Sequence, residues 1–327
     1  MMKQTVRKLR ASALATLAVL GLSYPAMAAD KLSIGLSTWV GYGPLYMAQE
    51  EGFFKDEGLD VDLVKMEDVK TRMPALAAGR LDAAVTTIDT VLGFSSKDHP
   101  LTYLFAIDDS RGGDGIVAND DITSVEGLKG KKVAYTEGSV SQFFLSVLLK
   151  NAGMTLKDID SLNMTAGDAG AAFVSGNVDA AVTWEPWLSR GKAKKGGHVL
   201  IDSTKTPGLI TDILVTTKDN LDKRKADFEG LYRAWVKAVE FQKSNPEEAD
   251  KIMAKGVGGW LEDPAVFAET RAGIAFYDGE TNKTFMDPAN TDGIVKTITN
   301  AKSLGEEAGL FKIDTDPASM IATGIVK

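Results

Sequence analysis

The chain has 327 residues, of which 44% are hydrophobic and 25% are charged. This composition is typical of globular proteins and argues against a disordered chain or a protein with many membrane spans, and the length allows about two domains. The chain has no cysteine, which excludes disulfides, a thiolate nucleophile and cysteine metal sites, and its two histidines stand in no metal-type pattern, so we expect no metal and no cofactor.

Residues 1–28 predict a cleavable signal peptide for export. Basic residues at positions 3–10 precede a short apolar run at 13–22, and Ala26, Met27 and Ala28 form the small-x-small pattern of a cleavage site. The alternative is a single anchor helix, although the apolar run is short for a membrane span. Cleavage after Ala28 leaves 33 basic and 45 acidic residues, a net charge of −12. This charge disfavours nucleic acid and anionic membrane surfaces as partners.

From residue 31 onward, strand-like and helix-like segments alternate with short connections. We predict for the first part strand 32–36, helix 44–51, a turn at 53–58, strand 61–65, helix 70–78, strand 83–86, helix 90–95 and strand 101–107. The order then begins again, with strand 132–136, helix 139–152, strand 161–164, helix 169–175, strand 180–183 and strand 213–216, before mostly helical segments to residue 327. This alternation predicts an α/β fold with parallel-rich sheets covered by helices.

A repeated frame indicates that one scaffold is used twice. The sequence GRLDAAVT at 79–86 returns as GNVDAAVT at 176–183, and we interpret Asp82 and Asp179 as structural residues of the turn before each strand. Between the repeats lies IDDSRGGDG at 107–115, whose glycines predict a flexible crossover. We therefore predict a first lobe at 29–109, a second lobe at 110–212, and a return to the first lobe with C-terminal helices at 213–327.

Several motifs resemble the substrate-binding proteins of ABC importers, in the nitrate/sulfonate/taurine group related to thiamine-pyrimidine-synthase-like proteins. They are GFFKDEGLDV at 52–61, ALAAGRLDAA at 75–84 and SVEGLKGKKVAYTEGS at 124–139. The resemblance implies a two-lobe type II periplasmic binding fold with a ligand cleft between the lobes, a periplasmic location and an ABC permease as partner. It implies a monomer without membrane insertion after signal cleavage, and no enzyme. Pyrimidine synthesis is disfavoured, because that activity uses histidine and a cysteine-rich motif.

The candidate ligand contacts are the residues that follow the carboxyl ends of the predicted strands, where ligands bind in open α/β sheets. They are Trp39, Tyr42, Asp68, Asp89, Asp109, Glu137, Ser139, Trp184, Glu185, Trp187 and Asp212. Some have structural alternatives: Asp68 and Asp89 are suited to cap helices, Glu137 to complement a helix dipole, and Trp39 and Tyr42 to pack at the rim. Glu185 stands between two tryptophans just past a strand end, which favours a role in the site.

The candidate contacts are rich in carboxylates and aromatic rings, and Arg111 is their only basic neighbour. Carboxylates and aromatic faces suit a cation, whereas an anion site favours arginine, lysine or helix N-termini. We therefore expect a small nitrogen-containing cation, such as a guanidinium or amidine-like species. The alternatives are an amino-sulfonate such as taurine, nitrate, or a thiamine-pyrimidine-type ligand. A carboxylate-based enzyme is a rival class, but the sequence offers no nucleophile motif and no histidine base.

Overall fold

The computed structural model of the protein describes residues 31–327; the predicted signal peptide lies outside these residues. Within residues 31–327, eleven strands form two sheets. Six strands build the first: β1 (Leu32–Leu36), β2 (Val61–Lys65), β3 (Ala83–Thr87), β4 (Leu101–Ser110), β10 (Thr211–Thr217) and β11 (Ile274–Phe276). Five strands build the second: β5 (Asp114–Asn119), β6 (Lys132–Tyr135), β7 (Asp160–Asn163), β8 (Ala180–Trp184) and β9 (Gly197–Asp202).

Helices cover both sheets. Those that precede β10 are α1 (Gly43–Glu50), α2 (Phe53–Asp56), α3 (Val69–Ala77), α4 (Ile88–Phe94), α5 (Val140–Asn151), α6 (Ala166–Val174) and α7 (Trp187–Ala193). Those that follow it are α8 (Lys218–Ser244), α9 (Pro246–Val257), α10 (Pro264–Arg271), α11 (Gly279–Phe285) and α12 (Ile294–Glu307). In the described part of the chain, no helix combines the length and apolar character needed to cross a membrane.

The strand order confirms the predicted two-lobe α/β fold. The first sheet runs β11-β4-β10-β3-β1-β2 and the second β7-β6-β8-β5-β9. In the first sheet, β1 pairs in parallel with β2 and β3, and β10 pairs with β3 in the antiparallel direction. In the second sheet, β6 pairs in parallel with β7 and β8, and β5 pairs with β8 in the antiparallel direction. Each sheet carries buried apolar clusters, which form the core of its lobe. The domain limits at 109/110 and 212/213 stay a prediction.

The repeated frame performs the same task in both lobes. Gly79 and Gly176 end α3 and α6 at φ values of 69° and 80°, in the left-handed region that glycine adopts without strain. The Asp82 carboxylate accepts hydrogen bonds from Ser33 N at 2.8 Å and Ser33 Oγ at 2.9 Å. The Asp179 carboxylate accepts one from Lys132 N at 2.9 Å. Both aspartates thus tie the strand that follows to its parallel neighbour, as the structural interpretation predicted.

Two local predictions were wrong. Residues 53–58 begin with the short helix α2 rather than forming only a turn. The segment 107–115 is mostly paired strand, because β4 extends to Ser110 and β5 begins at Asp114, so that only residues 111–113 cross between the sheets. Here the crossover backbone is tied down, since Gly112 N donates to Ser203 Oγ at 2.7 Å. Tertiary pairing overrides the turn preference of the three glycines.

Candidate functional site

A cavity of about 40 Å³ lies between the two lobes, at the carboxyl ends of the parallel strands. A buried water needs about 10–15 Å³ by this measure, so the cavity has room for about three water-sized groups. Its walls come from both lobes. They are formed by Ser37, Trp39, Tyr42, Glu67, Val69, Arg72, Thr86, Thr87, Thr90, Asp114, Thr136, Ser139, Val140, Trp184, Ile210 and Asp212.

Two tryptophans, one from each lobe, form the aromatic wall of the cavity. Trp39 follows β1 and Trp184 ends β8, and their rings meet edge to face with centroids 6.0 Å apart. Trp184 Nε1 donates to Thr38 O at 3.2 Å, which joins the lobes directly. Trp39 Nε1 lies 3.2 and 3.1 Å from the two carboxylate oxygens of Asp108. Both ring orientations are therefore fixed by hydrogen bonds as well as by packing.

Three carboxyl groups reach the cavity wall. Asp212 is the second residue of β10 and is buried beside Tyr42, whose hydroxyl donates to Asp212 Oδ1 at 2.5 Å. Glu67 accepts from Thr38 N at 3.1 Å and from Thr38 Oγ1 at 2.6 Å. Asp114 opens β5, where its backbone N donates to Ser110 Oγ at 3.2 Å. The donors to Asp212 and Glu67 are neutral groups, and the bond named for Asp114 involves its backbone, so none of the three carboxylates is neutralised by these bonds.

Burial shifts the acids of this region toward their protonated forms. Desolvation raises the pKa of Asp114 to about 7, with a small addition from the charge of Asp89. Desolvation and repulsion from Asp114 and Asp89 also raise the pKa of Asp212, while Tyr42 opposes this rise. Burial and the neighbouring Asp212 raise the pKa of Asp108 well above its usual range. The site therefore holds more buried acids than it has basic groups to balance them.

Arg72 is the basic residue of the cavity wall, and the sequence analysis missed it. Its side chain is buried, and its stem crosses β1 at Gly35, where a Cβ would lie 3.1 Å from Arg72 Cγ. Its Nη1 donates to Met66 O at 2.5 Å, and its buried Nε has no partner among the described residues. Arg111, the basic residue expected near the site, is instead largely exposed and bonds to Asp109 at 3.1 Å.

The structure brings five of the predicted contact residues together around the cavity. Two come from the segment after β1, two from the second lobe and one from the returning strand β10. They are Trp39, Tyr42, Ser139, Trp184 and Asp212. Ser139 also caps α5 through its hydroxyl, which accepts from Ser141 N at 3.1 Å. Their part in ligand binding stays a prediction.

Three predicted acids lie outside the cavity wall with structural partners. Asp68 caps α3, accepting from Lys70 N at 2.9 Å. Glu137 is solvent-exposed and forms an ion pair across the lobes with Lys70 Nζ at 2.7 Å. Asp89 is buried in the first turn of α4 and lines a separate cavity of about 130 Å³. The capping alternative accounts for Asp68. It is wrong for Asp89, because Thr87 is the N-cap residue of α4 and Asp89 stands inside the first turn.

Three more predicted contacts lie away from the cavity wall. Asp109 is buried beside Arg111. Glu185 accepts from Ser189 N at 3.0 Å and from Ser189 Oγ at 2.8 Å, so it stabilises the start of α7. Trp187 packs edge to face on Trp260 of the first lobe, with centroids 5.9 Å apart. Each of the three side chains thus has its partner outside the cavity lining.

Asp114 and Arg72 line the cavity but were not among the predicted contact residues. Asp114 stands in the glycine-rich segment that was interpreted as a crossover, and Arg72 lies inside a helix rather than at a strand end. The available signal for Asp114 was its place two residues before the apolar run at 116–118. Arg72 gave no such signal, because it lies within a helix and reaches the cavity only through the length of its side chain. Within residues 31–327, no three histidine, aspartate or glutamate side chains converge as metal ligands would.

Comparison with known proteins agrees with this architecture. A protein of Bacillus subtilis (strain 168), provisionally named an aliphatic sulfonates-binding protein, is 31% identical over 216 residues, covering 63% of this chain and 64% of that protein. One of Escherichia coli (strain K12) with the same provisional name is 32% identical over 177 residues, covering 54% of this chain and 52% of that protein. These matches span less than two thirds of either relative.

The solved structure of the periplasmic aliphatic sulphonate binding protein from Escherichia coli has the same fold. It superposes with a TM-score of 0.69 at 23% identity, covering 91% of this chain and 99% of that one. A family model described as NMT1/THI5 like matches residues 39–249, which is more than half of the chain. The chain thus belongs to the NMT1/THI5-like family.

Proposed function

We propose that this protein is the solute-binding component of an ABC importer. The observation that carries the proposal is a small cavity enclosed between two α/β lobes, with walls from both. A solute that contacts both lobes stabilises their closed arrangement by its differential affinity. The family membership and the names of the relatives support the same role. The partner is then a membrane permease, the protein acts as a monomer in the periplasm, and it binds its solute without converting it.

We further propose that the solute is a small cation such as guanidinium or an amidine. Glu67, Asp114 and Asp212 reach the cavity wall, whereas Arg72 supplies the only basic side chain among its lining residues. The faces of Trp39 and Trp184 add cation–π attraction, about 0.5–2 kcal/mol for each ring. A compact planar cation also suits a cavity of about 40 Å³.

An alkanesulfonate or amino-sulfonate is the second candidate, and the names of the relatives favour it over a cation. Arg72 is the group that would receive a sulfonate, because its buried guanidinium lines the cavity and Nε has no partner among the described residues. The three wall carboxyls oppose an anion. Nitrate and a thiamine-pyrimidine-type ligand are the remaining alternatives, and the binding experiment below includes both classes.

Binding is tested by thermal shift and calorimetry on the purified protein without residues 1–28. The panel is guanidinium, acetamidinium, taurine, an alkanesulfonate, nitrate and an aminopyrimidine. A ligand at 100 times its Kd stabilises by about 2.7 kcal/mol, a shift of several degrees. A response to the cations alone supports the cationic ligand. A response to sulfonates alone refutes it and leaves the importer role standing, while turnover of any ligand refutes a binding protein.

Asp212→Asn separates the two ligand classes while keeping the shape of the side chain. Loss of one charge-assisted contact costs about 1.5–3 kcal/mol, so cation affinity falls about 10- to 150-fold. A sulfonate would instead bind equally well or better. The exposed Asp160 on β7 provides a matched control. Asp160→Asn changes the net charge by the same amount at a position outside the cavity lining.

A further inference from the structure

Four buried carboxyl groups interact electrostatically at and beside this site: Asp212 and Asp114 line the cavity, whereas Asp108 and Asp89 lie behind its wall. Asp108, Asp89, Asp212 and Asp114 are 0%, 3%, 4% and 7% exposed, and they come from four different elements. Arg72, at 4% exposed, is the basic side chain that acts on Asp212. Four carboxylates and one guanidinium would leave several uncompensated charges in a site closed to bulk water. Such an arrangement favours protons on some of the acids.

The hydrogen bonds around the four acids do not supply the missing charge. Asp108 accepts from the neutral indole of Trp39, and Asp212 from the neutral phenol of Tyr42. Asp89 has a buried Oδ1 without a partner among the described residues. Each donor is thus a dipole rather than a cation. Dipoles orient these carboxyls, but they do not replace a counter-ion.

We infer that each cation bound in the cavity displaces about one proton from this carboxyl cluster. The inference rests on the proposed cationic ligand. In the exchange an O–H bond of one carboxylic acid breaks, the proton passes to solvent, and the resulting carboxylate pairs with the incoming cation. The charge inside the closed site is unchanged, and no oxidation or group transfer occurs. The proton therefore acts as the counter-ion of the empty site.

The pKa values support this exchange. Burial raises the pKa of Asp114 to about 7 and that of Asp89 to about 6, and it raises that of Asp212 as well. Other charged groups near the cluster are Arg72, Glu67 and Asp109. Three tyrosines also face it, and burial raises the pKa of each: Tyr42, Tyr103 and Tyr277. Below these pKa values the empty site holds its proton, so a cation competes with it. Above them the site is already ionised, and competition ends.

The sign of the pH dependence follows from this competition. Cation affinity rises about tenfold for each pH unit up to about pH 7 to 8, where Asp114 and Asp212 ionise in the empty site, and levels off above that range. A sulfonate bound at Arg72 would behave differently, since protonation of the acids favours an anion. Its affinity would fall or stay constant as the pH rises.

The test is isothermal titration of the wild-type protein with guanidinium chloride near pH 6, in buffers that differ in ionisation enthalpy. About one proton released per cation is expected, together with about a tenfold gain in affinity for each pH unit. Asp114→Asn reduces the proton count, whereas Asp160→Asn leaves it unchanged. Binding without proton release, or with affinity independent of pH, overturns the inference while the cationic ligand stands. Absence of cation binding overturns the ligand proposal and the inference with it.

Discussion

Replacing Asp114 by asparagine is expected to stabilise the empty protein, and only at higher pH. Asp114 opens β5 with its carboxyl at the cavity wall, and burial raises its pKa from an ordinary value near 3.8 to about 7. As the pH rises, Asp114 ionises at a lower pH in the unfolded chain than in the folded protein. Stability is therefore lost between about pH 4 and 7, by about 1.4 kcal/mol for each pH unit. The full loss in the free energy of unfolding is about 4 kcal/mol. Asparagine avoids this loss because its side chain does not ionise.

The assay is thermal unfolding of Asp114→Asn and wild type, without ligand, at about pH 4 and about pH 8. At about 2 °C for each kcal/mol, the variant melts about 8 °C higher at the upper pH and close to wild type at the lower pH. Asp160→Asn is the control for net charge and shows no such difference. An equal effect of Asp114→Asn at both pH values would refute the reasoning, since a change in packing alone does not follow a titration.

Three further substitutions test residues outside the cavity lining. Glu185→Gln leaves ligand affinity within about twofold of the wild-type value, because Glu185 bonds to Ser189 rather than lining the cavity. Calorimetry measures this affinity. Gly170→Ala destabilises by about 1–3 kcal/mol in thermal unfolding, since its Cβ would lie 2.4 Å from Trp187 Cγ. Asn282→Ala costs about 2–3 kcal/mol in urea unfolding, because its buried amide bonds both backbone groups of Ala106 at 2.8 and 2.9 Å.

Each of these substitutions has a counterpart elsewhere in the chain. Gly93→Ala is the control for Gly170→Ala, because its Cβ would meet its nearest atom at an ordinary 3.6 Å. Asn151→Ala, at the exposed end of α5, is the control for the loss of an amide. A sharp loss of ligand affinity in Glu185→Gln would return that acid to the site. Wild-type stability in Gly170→Ala or Asn282→Ala would show that the surrounding backbone relaxes at little cost.

The fold was predictable because local sequence and tertiary packing favour the same elements. The glycine, aspartate and apolar run of the repeated frame at 79–86 and 176–183 mark a helix end, a turn and a buried strand in each lobe. The segment 107–115 failed for the opposite reason. Its glycines favour a turn, but strand pairing on both sides of residues 111–113 decides its conformation.

The site was predictable in part, because the ends of neighbouring strands meet at one edge of each sheet. That rule located Trp39, Tyr42, Ser139, Trp184 and Asp212, all of which line the cavity. It did not separate them from acids that turn to a nearer donor, such as Asp68 at the start of α3. A carboxylate at a strand end has several partners within reach, and the spacing of residues does not choose among them. The charge of the ligand stays a proposal.

By itself, the sequence determined the alternation of strands and helices, the repeated scaffold and the strand ends at which a cleft forms. These features follow from apolar periodicity and from glycine and aspartate at fixed positions, which act within a few residues of one another. Only the tertiary structure decided which side chains face the cavity. Arg72 reaches it from inside a helix, and Asp114 reaches it from the first residue of a strand. Their placement depends on how two lobes close together, which involves contacts between residues far apart in the chain.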